Sequence, residues 1–193
     1  MIIKSKSIKS KKNLSNALQY ILVGHDLTDS GFVLSRAIRG DRNYHKELEQ
    51  SKGDSMLETS VLEARIDNML AQFESNNDKR LVPHKNGNRA YHEIISFHAN
   101  DSKNLSRDAM LDVARTYAKE RSPNSLVVAS MHKNREHLHI HVIVSAVELG
   151  GKVKRLSKNQ FRELKQTMER YQEKHLQLEH SKVNHSKKKP HRF

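Results

Sequence analysis

The chain has 193 residues, a formal charge of +13 and a sequence pI near 9.9, which suits one domain with a real core and a polyanionic partner. Nucleic acid is the better fit than an anionic membrane surface, because no strongly hydrophobic amphipathic helix carries a lysine face. The absence of cysteine excludes disulfides and thiol-based metal or catalytic sites, and with no signal-peptide core or run of transmembrane length the expected location is cytoplasmic, without membrane insertion.

Residues 2–9 read as a strand in which Lys4, Lys6 and Lys9, followed by Lys11 and Lys12, offer a phosphate-contacting edge; a solvated charged terminus accounts for the charge equally well. Asn13 is expected to cap a helix with Leu14, Ala17, Leu18, Ile21 and Leu22 at i, i+3, i+4, i+7 and i+8, closed by Gly24. Tyr20 falls roughly 120° from the centre of that apolar stripe at 3.6 residues per turn, so packing does not claim its hydroxyl. The stretch from Gly31 to Gly40 reads as a short basic helix, with Tyr44 in a polar basic loop beyond it. A long structural helix is expected from Ser55 to about Phe73, opened by the capping box Ser55-x-x-Glu58 and carrying Leu57, Val61, Leu62, Ile66, Met69, Leu70 and Phe73 at helical spacing. Ser75-Asn-Asn-Asp78 and Val82 to Gly87 read as polar loop, and Tyr91-His-Glu-Ile-Ile-Ser-Phe97 as a strand. Ser106 starts a helix with Met110, Val113, Ala114 and Tyr117 on its core face, which Pro123-Asn124 ends.

The most informative stretch follows. Leu126 to Met131 reads as a strand, Lys133 to Glu136 as a hairpin loop, and from His137 onward histidine alternates with Leu138, Ile140 and Val142, so that His137, His139 and His141 share one strand face. Among 13 histidines a lone His-x-His arises by accident, whereas His-x4-His-x-His-x-His rarely does; the plain alternative is a surface strand whose histidines are merely polar. Same-face neighbours on a strand stand roughly 6 to 7 Å apart, so two of them can share an ion while a third ligand comes from elsewhere, most simply His132. An all-imidazole site suits one divalent cation with open coordination positions. Mn and Mg are the physiological candidates, and Ni, Co or Zn could also occupy it.

Gly150-Gly151 is a turn, and Lys152-Val-Lys154-Arg155-Leu156 a short basic strand or extended segment. Ser157-x-x-Gln160 caps a last helix with Phe161, Leu164, Met168, Tyr171 and Leu178 on one side. The closing run lacks apolar periodicity, giving an expected domain over residues 1–180 and a basic disordered tail or linker over 181–193. Strands separated by helices around one hairpin predict an α+β two-layer sandwich, a central antiparallel sheet with helices mainly on one face and the other left for a ligand.

Asn16-Ala-Leu-Gln-Tyr-Ile21, Tyr91 to Phe97 and the histidine hairpin together resemble the conjugative and mobilisation relaxases of the HUH endonuclease superfamily, in particular the P-type mobilisation class, over nearly the whole chain to about residue 178. The resemblance implies a central antiparallel sheet backed by helices and a site- and strand-specific nick at an origin of transfer, made on single-stranded or supercoiled DNA. It implies His132, His139 and His141 as metal ligands and Tyr20 as the nucleophile of a transesterification that yields a 5′-phosphotyrosine and a free 3′-hydroxyl. His137 becomes an additional histidine near the site, and either it or a metal-linked water can take the phenol's proton. It also implies a monomer working with accessory mobilisation proteins and a coupling protein. Two positions depart from the family's pattern: Asn134 stands where an aspartate is frequent, and Ser145 where an asparagine is. Glu136 and Glu93 are then the carboxylates left to orient an imidazole. The competing readings are a basic single-stranded-DNA-binding module with a structural or degenerate metal site, and a histidine-metal hydrolase that leaves no protein-DNA adduct.

Overall fold

The computed structural model describes residues 1–23, 32–134 and 137–182, except for the side chains of Lys103, Lys133, Asn134 and His137. Its centre is a five-stranded antiparallel sheet in the order β1-β3-β5-β4-β2, formed by β1 (Ile2–Ile8), β2 (Val33–Arg36), β3 (Ala90–Ser96), β4 (Ser125–Asn134) and β5 (His137–Glu148). The middle strands β4 and β5 are apolar at both parities: Val127, Ala129, Ile140, Val142 and Val144 face one way, and Leu126, Val128 and Ile143 the other. A strand patterned so must be covered on both sides.

The first face packs under α4 (Arg107–Arg121) and α5 (Lys158–His175) through Met110, Val113, Tyr117, Leu164 and Met168. The second packs under α1 (Lys11–Val23) and α3 (Ser55–Asp78) through Leu14, Leu18, Ile21, Leu22, Met69 and Phe73. The α+β class and the antiparallel sheet are as expected, while the helices, expected mainly on one face, are shared between the two. The face expected to lie open for a ligand is therefore packed under α1 and α3.

Local differences have local causes. The short helix expected from Gly31 to Gly40 is replaced over Val33–Arg36 by β2, whose four residues pair with Val127 to Ser130 of β4; edge pairing beats weak helix propensity in a run containing Phe32, Val33 and Leu34. The expected basic loop around Tyr44 is helix α2 (Asp41–Gln50). Ser10 rather than Asn13 caps α1, accepting the Asn13 N–H at 3.1 Å. In α3 the cap is Asp54, one residue earlier than expected, accepting from Met56 and Leu57, while Glu58 reaches back to the Gly53 N–H. That helix also runs through the predicted loop at Ser75–Asp78, because the buried Asn76 amide donates to Ser145 Oγ at 3.0 Å and to the Val147 carbonyl at 2.6 Å.

The expected caps of α4 at Ser106 and of α5 at Ser157, the latter a full capping box, are present. Beyond α5 the chain returns to the sheet: Leu178 is 2% exposed, Ser181 Oγ accepts the His98 N–H, and the His180 N–H donates to Asp101. Residues 176–182 thus belong to the folded unit; Gly24 and residues 183–193 lie outside the described residues. Among the described residues no helix is long and apolar enough to cross a membrane.

Candidate active site

Register brings the histidines together. His132 of β4 pairs directly with His139 of β5, and His141 follows two residues along on the same face, the face that carries α1 and α3. The ring centroids lie 5.8 Å apart for His132 and His139, 4.5 Å for His132 and His141, and 4.8 Å for His139 and His141. One ring nitrogen of each sits within 4.8 Å of the others. All three rings are buried, so this is a walled pocket and not the polar surface strand that was the plain alternative.

The C-terminal turn of α1 supplies one wall. His132 Nε2 lies 3.1 Å from the Ile21 carbonyl, one of the oxygens that the end of a helix leaves without an intrahelical donor. That contact makes Nε2 the N–H and leaves the lone pair on Nδ1, the nitrogen that could bind a cation, and it sets the negative end of the helix toward a prospective cation. One residue earlier, Tyr20 leans over the same rings, its centroid 5.2 Å from that of His141 and 5.7 Å from that of His132. Its side chain is 44% exposed, reachable from solvent while edge-on to the pocket.

His92 completes the wall from β3, with Nε2 2.8 Å from Nδ1 of His141 and its ring 6.5 Å from that of Tyr20. Burial, and then the Lys6 charge, lower its pKa against the opposing pull of Glu93, so the imidazole is neutral at pH 7. It lay inside the Tyr91 to Phe97 stretch but received no role from sequence reasoning. Its face follows from register, which the sequence does not carry: His92 pairs with Ile143, whose odd position puts it on the face of His139 and His141.

Of the two carboxylates expected to orient an imidazole, Glu93 points away from the histidines. Glu93 faces the opposite layer, fully buried, accepting from Arg121 Nε at 2.9 Å, Tyr117 Oη at 2.7 Å and Ser5 Oγ at 2.9 Å. Ser145 shares the histidine face but is tied to Asn76 and the Val147 backbone under α3. The side chains of Asn134, Glu136 and His137 lie outside the described residues.

The lysines divide by position. Lys4 pairs with Ile94, which pairs with His141, and Lys6 pairs with His92, so both stand on the face of the site, about 10 Å across two strand spacings from β5. Lys9, Lys11 and Lys12 are exposed at the far end of α1 from Tyr20. Lys152, Lys154 and Arg155 flank the Val147–Val153 bridge, about 20 Å along β5 from His141.

The family description "Relaxase: MobA/VirD2-like, nuclease domain" matches residues 42–176, including β3 and the whole histidine hairpin. The chain belongs to the MobA/VirD2-like relaxases. Tyr20 precedes the matched span, so its place in this relaxase site rests on geometry. The structure is also similar to crystal structures of the MobM relaxase domain (MOBV; Mob_Pre). One, Mn-bound and carrying a 22-nucleotide plasmid pMV158 oriT DNA, has a TM-score of 0.62 and 16% identity, covering 100% of this chain and 94% of that one. Another, bound to 26-nucleotide oriT DNA, has a TM-score of 0.57 and 17% identity, covering 98% and 95%. At that identity the likeness is one of fold. No curated sequence matches the chain.

Proposed function

We propose that this relaxase nicks one strand at an origin of transfer, with Tyr20 as nucleophile. The observation that carries the reading is the placement of an exposed tyrosine, on the last turn of α1, within 5.2 Å of the ring of His141 in a buried three-histidine cluster. Tyr20 Oη attacks the scissile phosphorus, the bond from phosphorus to the 3′ oxygen breaks, and the products are a 5′-phosphotyrosine and a 3′-hydroxyl. The bond count is conserved, so a later 3′-hydroxyl can reverse the step. We assign acceptance of the phenol proton to His137, two residues before His139.

His132, His139 and His141 fit a divalent cation: three neutral imidazoles converge, and the outer nitrogens of His132 and His141 are engaged by Ile21 and His92. Held by these three imidazoles, a divalent cation would keep its full charge and would supply Lewis-acid polarisation of the scissile phosphate. The manganese of the MobM domain structures supports that ion among the candidates. The residues around it orient: the last turn of α1 carries Tyr20 and holds His132 through the Ile21 carbonyl, and Lys4 and Lys6 attract the DNA strand electrostatically.

The DNA is proposed as the single-stranded or supercoiled origin, with accessory mobilisation proteins and a coupling protein as partners of a monomeric, cytoplasmic enzyme. Lys9, Lys11, Lys12 and the Lys152, Lys154, Arg155 cluster are proposed as outlying phosphate contacts. The test is relaxation of a supercoiled plasmid bearing the cognate origin, with Mn²⁺ added to metal-free protein. Metal-dependent open-circle product carrying bound protein is expected, while binding without any nick with every divalent ion tried returns the chain to a DNA-binding module.

A further inference from the structure

Beside the triad stands another histidine, His92, and an imidazole pair 2.8 Å apart permits only one arrangement if His141 binds a cation. A ligating His141 must offer Nε2 as a lone pair, because its Nδ1 is the atom against His92. A neutral His141 with Nε2 as ligand carries its proton on Nδ1, so the partner nitrogen, His92 Nε2, has to be the acceptor. The reverse arrangement would place the His141 proton on the ligand atom and block binding.

We propose that His92 is a positioning residue whose Nε2 accepts the Nδ1–H of His141, fixing the tautomer and ring plane in which His141 presents Nε2 to the cation. The inference rests on the three-histidine metal reading above. The sheet makes the contact rigid: the residues lie on adjacent strands, His92 opposite Ile143 and His141 opposite Ile94, a diagonal same-face pair with ring centroids 5.0 Å apart. Orientation of ligand imidazoles by an outer hydrogen bond is a general feature of metal sites, and its loss typically lowers metal affinity about 10- to 100-fold. Here the role expected of Glu93 falls to its sequence neighbour, because the period of two turns Glu93 to the other face.

Mn²⁺ affinity of metal-free protein, measured by titration calorimetry, tests this on wild type, His139→Ala, His92→Leu and His92→Gln, each checked for folding by circular dichroism. His92→Leu fills the space without an acceptor and is expected to bind at least about tenfold more weakly. His92→Gln keeps a carbonyl oxygen able to accept the same proton and should recover most of the affinity, which a purely packing role would not predict. Unchanged affinity in His92→Leu, with binding lost in His139→Ala, overturns the inference alone, as does a His92→Gln variant no better than His92→Leu. Undiminished binding in His139→Ala overturns the metal reading and the inference with it.

Discussion

The reactive residues sort by what surrounds each side chain. Of the five tyrosines, Tyr117 is fully buried, and its phenol is pushed well above the ordinary range by burial and then by the Glu93 carboxylate, so it remains a donor. Tyr91 is buried against the Arg121 guanidinium, 4.9 Å from its ring, and Tyr171 packs on the core from α5. Tyr44, the serious rival to Tyr20 when its segment reads as a loop, is half-buried with Leu48 one turn away on the inward stripe of α2. Only the helix shows that stripe. The place of Tyr20 off its apolar stripe and the shared face of His139 and His141 were legible because each obeys a local period, 3.6 in α1 and 2 in β5, and His132 was legible as their neighbour across the hairpin, whereas His92 needed the register of β3 against β5. His139→Ala should lose Mn²⁺ by elemental analysis while keeping the native circular dichroism spectrum. Full metal content in that variant would contradict its role as a ligand.

At the scale of elements, the strongly patterned pieces were readable and the polar ones were not. α2 has little apolar periodicity, and its anchor is long-range: Asp41 accepts from Arg65 Nε at 2.7 Å and Nη2 at 3.0 Å and from Ser35 Oγ at 2.6 Å. Burial pushes the Asp41 carboxyl up, but the hydrogen bonds from Arg65 and Ser35 and the Arg65 charge outweigh it and leave the pKa below the ordinary value. A depressed carboxylate pKa contributes stability that is present above the unfolded value, near 3.8, and is lost as pH falls through the lower folded value. Asp41→Asn should therefore flatten the acid limb of the stability curve, and an identical limb in denaturant titrations would remove Asp41 from that account. The Glu93–Arg121 pair is a second buried charge pair. Arg121→Ala leaves a buried carboxylate without its guanidinium and should destabilise the fold by about 3–5 kcal/mol, read by urea unfolding; a loss below 1 kcal/mol would mean that the pair is solvated.

Across the whole molecule, charge and topology divide the labour. The sheet's doubly apolar centre demanded two helical layers, and counting elements in sequence order could not assign helices to faces. One end of the face under α1 collects the triad, Tyr20, His92, Lys4 and Lys6. Neutralising Lys4 and Lys6 together should flatten the dependence of log affinity on log salt for origin single strand by about 1.4, at about 0.7 per phosphate contact. An unchanged slope would mean that these lysines only guard an open sheet edge. Because Ser181 packs against His98, removal of residues 183–193 should spare the fold and the nick, while removal from residue 176 onward should lower the melting temperature. The central claim is that Tyr20 attacks the phosphate, and the direct measurement is covalent adduct formation on origin single strand, read by denaturing gel for wild type, Tyr20→Phe and Tyr44→Phe. The account predicts an adduct in wild type and Tyr44→Phe and none in Tyr20→Phe, which should still bind DNA and metal; an adduct that persists in Tyr20→Phe would contradict it.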